Sequence, residues 1–172
     1  MWRTIVDFFK ESPQRLIVAQ AIVRHGFSIN GPPNNPEIKC GDIRIPFKSL
    51  GNALGIDRRT VRATAEDICA NKDLYDFFHN LRPAGPSLEG VRHILGYGVV
   101  TILVESPETS GILSEVTSRI ASYGIPIRQV LAEDVAIYEE PCLKVITQNP
   151  LPGRVIETLS EIKGVRKVII EK

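Results

Sequence analysis

In the first half of the chain, apolar residues recur at helical rather than strand spacing. Trp2, Ile5, Val6 and Phe9 follow i, i+3, i+4, i+7 and predict one apolar stripe on a first helix. Ser12-Pro13 is an N-cap followed by proline at the first helical position, and His25-Gly26 marks the end of a second helix. Residues 27–37, FSINGPPNNPE, carry turn chemistry and predict a mobile loop. IKCGDIRIP predicts a short hairpin about Cys40-Gly41 that leads into a helix near 47–54. Leu74, Phe77, Phe78 and Leu81 predict a further helical stripe.

The pattern breaks at LRPAGPS, residues 81–87, where two prolines and a glycine can continue neither a helix nor a strand ladder. Beyond it the periodicity changes. VVTILV (99–104) is a β-branched apolar run and predicts a buried strand. A helix is expected over about 111–123, with Leu113, Val116 and Ile120 on one face. IPIRQVL (125–131) and CLKVIT (142–147) read as strands. A helix over about 153–162 turns Val155, Ile156 and Leu159 inward, and RKVII (166–170) closes the order as a last strand. The expected fold is α+β: a helical domain over 1–82, a linker over 83–95, and a ferredoxin-like βαββαβ domain over 96–172.

Composition changes this picture little. At 172 residues the chain suits one large or two small domains, and 43% apolar with 24% charged residues is ordinary for a folded soluble protein. No apolar run approaches the roughly 20 residues of a membrane span, and MWRTIVDFFKES lacks a signal-type apolar core, so a cytoplasmic protein is expected. The three cysteines are odd in number and far apart, which favours reduced thiols over a disulfide framework. No C-x-x-C and no histidine pair at ligand spacing occurs, so neither metal nor cofactor is expected. Charge is mildly asymmetric. Residues 1–95 hold 13 Lys and Arg against 10 Asp and Glu (+3), whereas residues 96–172 hold 8 against 10 (−2). That balance permits nucleic-acid binding by the first half without demanding it.

The densest chemistry lies in FKSLGNALGIDRRTVRATAEDI, residues 47–68. Leu50 and Leu54 give a first helix its core contact, and Gly51 is small where a second helix crosses. Gly55 permits a sharp turn through positive φ, Ile56 plugs it, and Asp57 is a good N-cap for the next helix. Val61, Ala65, Ile68 and Cys69 then fall on a buried face, leaving Arg58, Arg59, Arg62 and Glu66 opposite, with Thr60 beside them. This is the pattern of a helix-turn-helix whose second helix presents arginines to the DNA major groove. Arginine can bridge guanine O6 and N7 with two hydrogen bonds. The plain alternative is a solvated face whose arginines pair with Glu66 and Asp67.

GYGVVTILVESPETSGILSEVTSRIASYGIPIRQVL, residues 96–131, resembles the opening of an ACT domain. The shared features are a strand, a glycine-bearing turn, Gly111-Ile112-Leu113 opening a helix, and a second strand after Gly124. With the upstream helix pair, the chain resembles the archaeal-type regulators of amino-acid metabolism that carry such a domain. The resemblance implies homodimers or higher homo-oligomers, with an amino acid bound at the strand–helix turn. Glu108, Thr109, Ser110, Gly111, Ile112 and Leu113 would form that turn, with Ile125, Ile127 and Gln129 lining the rest. Ser110 and Pro126 stand where the family often has proline and asparagine. The function implied is a DNA-binding regulator responsive to an amino acid. The alternative is a regulatory subunit that docks on a metabolic enzyme without touching DNA. An enzyme is not expected: Gly96-x-Gly98 precedes a strand and lacks a third glycine, and no nucleophile–base pair is visible.

Overall fold

The first stripe forms α1 (Trp2–Phe9) in the computed structural model, which describes residues 1–171. Ile5 and Phe9 are buried, while Val6, expected inward, is 45% exposed. α2 (Pro13–Arg24) begins on Pro13 and is stopped by His25 and Gly26. A side chain at Gly26 would meet the Arg82 carbonyl at 2.6 Å, so the chain after the last helix of this unit packs directly on that turn.

The stretch 27–37 departs from the expected loop. Its first part is a strand, β1 (Ser28–Asn30), paired antiparallel with β2 (Glu37–Cys40) so that Ile29 faces Ile38. β3 (Ile43–Ile45) completes a three-stranded antiparallel sheet. The Cys40–Ile43 pairing makes Gly41-Asp42 the two-residue turn, displaced by one residue from the expected Cys40-Gly41. α3 (Phe47–Leu54), α4 (Arg58–Ala70) and α5 (Lys72–Asn80) follow. Asn71 ends α4 and caps α5, its Oδ1 accepting from the Leu74 N–H at 3.1 Å. Leu74 and Phe78 are the buried members of the α5 stripe, and Leu81 lies just past its end.

The chain divides into two units, Met1–Gly85 and a second beginning at Pro86. Both are mixed α and β, each built on one antiparallel sheet. In the second unit the order is β4 (Gly98–Val104), α7 (Ile112–Ser122), β5 (Ile127–Ala132), β6 (Cys142–Thr147), α8 (Gly153–Ser160) and β7 (Val165–Glu171). The strands lie in the order β5-β6-β4-β7, all neighbours antiparallel. Ile112, Val116 and Ile120 of α7 pack with Val155 and Leu159 of α8 on Val100, Ile102, Leu143 and Val145. Burying one such aliphatic side chain contributes about 1.5–3 kcal/mol, so this layer holds the helices to one face of the sheet. Leu113 and Ile156, read as inward, are respectively 46% exposed and half-buried; the inward residue at the start of α7 is Ile112.

The segment expected to be linker carries structure. Residues Glu89–Val91 form a 3-10 turn and α6 spans Arg92–Leu95. The Gln129 side chain accepts from the Leu88 N–H and donates to the Pro86 carbonyl, both at 2.8 Å. Lys144 Nζ donates to Glu89 Oε2 at 2.9 Å, which fastens the same segment to β6. That hydrogen bond also raises the Lys144 pKa, against a smaller opposing effect of burial.

Candidate functional site

The turn between α3 and α4 is closed by hydrogen bonds local to it. Gly55 adopts φ +66°, and the Ile56 N–H returns to the Gly51 carbonyl at 2.9 Å. A Cβ on Gly51 would stand 2.5 Å from the Ile56 carbonyl oxygen, so only glycine fits there. Ile56 is buried beneath the turn. Asp57 Oδ1 accepts from the Arg59 N–H at 2.7 Å and caps α4.

α4 then sorts its residues by face. Val61, Ala65 and Ile68 are fully buried, and Cys69 is half-buried. Thr64 is also buried, a position not foreseen; its hydroxyl donates to the Thr60 carbonyl at 2.8 Å, so no polar atom is stranded. On the other face Arg58, Arg59 and Arg62 are exposed, with Thr60 and Glu66 half-buried beside them. Arg62 Nε donates to Glu66 Oε1 at 2.8 Å, and its Nη2 reaches the Asn34 carbonyl of the β1–β2 loop at 3.5 Å. Asp67 instead pairs with Arg15 of α2. Among the described residues, the Arg58 and Arg59 side chains have no ion-pair partner. Two fixed charges therefore point to solvent at the start of a capped helix, and a third is steered by Glu66. Such a row can bridge phosphates or base edges.

The second candidate site is the turn between β4 and α7. The Thr109 N–H bonds the Ser106 carbonyl at 3.1 Å, and Gly111 enters the helix at φ +91°. No side chain caps α7. Thr109, Gly111 and Leu113 line a cavity of about 150 Å³ with Pro107, Glu133 and Cys142. Ser110 and Glu115 border a wider hollow of about 400 Å³ with Glu105 and Lys163. Ile112 lines both while facing the core.

Of the other residues named from the sequence, Glu108 is exposed and borders neither hollow. Ile125 and Ile127 pack into the core layer, and Gln129 is engaged with residues 86–88. Glu133 and Cys142 were missed as site residues. The Cys142 thiol donates to Glu133 Oε2 at 3.2 Å, and the same oxygen accepts from the Cys142 N–H at 3.1 Å. Burial, reinforced by this carboxylate, pushes the Cys142 pKa up to about 11, so the thiol is protonated at neutral pH. Glu133 lies two residues beyond the strand expected over 125–131, and no local pattern marks it as a site residue.

Among the described residues, no three His, Cys, Asp or Glu side chains are grouped to hold a metal ion. No helix among the described residues is long and apolar enough to cross a membrane. No family model and no curated protein matches the chain. A solved structure described as "Crystal structure of PH0061" is similar at 15% identity over 73% of this chain and 78% of that one. Its TM-score is 0.26, a likeness that sets neither fold nor function.

Proposed function

We propose that the protein is a cytoplasmic, ligand-responsive transcriptional regulator of amino-acid metabolism. In this reading α3 and α4 are a helix-turn-helix, and the second unit is a ferredoxin-like ACT domain that senses an amino acid and joins copies of the chain. One observation carries the proposal: Arg58, Arg59 and Arg62 share the solvent face of a helix whose other face and entry turn are tightly packed. A merely solvated helix has no need of the Gly51–Ile56 close approach, which fixes how α4 leaves α3.

Arg58 and Arg59, at the N-terminal end of α4, sit where a recognition helix touches base edges. Two copies joined through their second units would place two such helices on one DNA face when separated by roughly 34 Å. The sheet edges available for that pairing are β5 and β7. An amino acid at the β4–α7 turn acts by favouring one arrangement of the pair, and its effect on DNA affinity equals the effect of DNA on its own affinity.

A mobility-shift assay on genomic fragments tests the reading. Binding should weaken steeply with salt, by about 0.9 in log–log slope per phosphate neutralised. Arg59→Ala should cost about 1–3 kcal/mol per half-site if it reads a guanine. Binding indifferent to Arg58→Ala and Arg59→Ala alike rejects the recognition-helix assignment and leaves a protein-docking role for α4. For the sensor, a ligand at 100 times its Kd adds about 2.7 kcal/mol of stability, so a thermal-shift screen of amino acids should find one that raises the melting point.

A further inference from the structure

A separate cavity of about 390 Å³ opens at the other end of β4, lined by the α6–β4 turn, the β6–α8 loop and the end of β7. β4 is seven residues long, which puts this cavity roughly 20 Å from the Gly111 turn at about 3.3 Å per residue. Its volume lies in the range of small-molecule sites.

The walls are fixed from outside. The Tyr97 hydroxyl accepts from Arg128 Nε at 3.1 Å, and the Arg128 guanidinium stands 5.5 Å from the Tyr97 ring centroid. Thr147 Oγ1 donates to the Asn149 carbonyl at 2.7 Å, holding the loop that carries Pro150 and Leu151. A Cβ at Gly98 would meet the Asn149 carbonyl at 2.6 Å, so strand and loop are in direct backbone contact.

Tyr97, Val100, Leu151 and Ile170 give the cavity an apolar wall, and Arg92, His93 and Glu171 border it as well. Arg92 is substantially buried, its side chain 18% exposed, and Glu171 is 37% exposed. Arg92 Nη2 and Glu171 Oε2 are 4.0 Å apart, within ionic range but longer than a hydrogen bond. Arg92 Nη1 donates to the Glu89 carbonyl at 3.2 Å. A guanidinium nitrogen takes a carboxylate, and a carboxylate takes an ammonium. The geometry points to a second binding site, for an apolar α-amino acid: its carboxylate on Arg92, its ammonium on Glu171, its side chain against Tyr97 and Leu151. Charge selects the zwitterion. A ligand with a carboxylate alone meets Glu171 as a like charge and leaves it uncompensated.

The test is a methyl-resolved NMR titration of the full chain with L-phenylalanine, L-leucine and 3-phenylpropanoate. Saturable shifts of the Leu151 and Ile170 methyls are expected with at least one amino acid, and 3-phenylpropanoate should bind at least tenfold more weakly. Leu151→Trp, which fills the cavity, should abolish the response. If that variant does not fold, Ile170→Trp at a partly exposed position serves the same purpose. Arg92→Gln should weaken binding at least tenfold. Shifts confined to Ile112 and Leu113 overturn this site while supporting an amino acid at the β4–α7 turn. Equal binding of 3-phenylpropanoate overturns the assignment of Glu171. No shift up to roughly 10 mM, where a Kd of a few millimolar would register, overturns the site and leaves the DNA-binding proposal standing.

Discussion

Replacing Gly51 by alanine tests the geometry on which the arginine row depends. The new Cβ would sit 2.5 Å from the Ile56 carbonyl oxygen, a backbone atom that cannot swing away as a side-chain end can. Moving that carbonyl also disturbs the Ile56 N–H bond back to Gly51, at 2.9 Å, which closes the turn. Overpacking of this kind costs about 1–3 kcal/mol, and the upper end applies because the obstacle is backbone. Alanine recovers up to about 1 kcal/mol from its better helix propensity inside α3. A net loss of about 2 kcal/mol is expected. For a unit of this size, that lowers its melting temperature by about 8–16 °C. The chain's one tryptophan, Trp2, packs edge-on against Phe77 at 5.6 Å, so its fluorescence reports the first unit alone while circular dichroism reports both. Urea unfolding by both probes should show the fluorescence transition moving to lower denaturant and the second unit's transition staying in place. Gly153→Ala, whose Cβ meets nothing within 4 Å, is the matched control and should be neutral or slightly stabilising. A Gly51→Ala variant within about 0.5 kcal/mol of the parent would refute the close approach, and with it the orientation of α4.

Four further outcomes follow from other contacts in the structure. Asp57→Ala removes the acceptor for the Arg59 N–H and should cost about 1 kcal/mol in the fluorescence-detected transition, whereas Asp57→Asn or Asp57→Ser should retain most of it. Gln129→Ala removes both bonds to residues 86–88 and should cost about 1–2 kcal/mol in the second unit, with faster amide exchange at Leu88. Cys142 has its pKa raised from 9.0 to about 11, so the folded protein favours the protonated thiol. That contribution to stability is complete below pH 9 and is lost as pH rises towards about 11, which urea unfolding across that window should show. Glu133→Gln should lower the thiol's pKa and speed iodoacetamide labelling of Cys142 at pH 8.5; an unchanged rate would discount the Glu133 contact.

The parts legible in the sequence were those whose cause is local. Gly55, Ile56 and Asp57 determine a turn through φ preference, a buried plug and a cap, each acting within a few residues. The β-branched run at 99–104 and the stripes of α7 and α8 likewise announce themselves by period. β1 was hidden because its three residues carry no pattern of their own; Ile29 is buried through pairing with Ile38, across a proline-rich loop. Residues 88–95 were hidden for a related reason. Their helical turns are too short to show a period, and they are held by Gln129 and Lys144 from strands far along the chain.

The candidate ligand residues separated because of one extra residue in β5. Ile125, Ile127 and Gln129 alternate at strand spacing, so a regular strand would turn all three to one face. In the pairing with β6, however, Ile127 stands opposite Thr147 and Gln129 opposite Ile146, which leaves Arg128 as an unmatched residue in a bulge. Beyond the bulge the alternation is inverted: Ile127 and Val130 both pack into the helix-covered layer. Gln129 is sent to the other side, where both ends of its amide bind the 86–88 backbone. Glu133, just past the end of β5, meets Cys142 beside the cavity at Thr109 and Leu113. A bulge depends on the partner strand and leaves no mark on local composition. The resemblance placed Gln129 at the ligand turn, whereas the fold engages it with residues 86–88 and sets Glu133 beside that cavity.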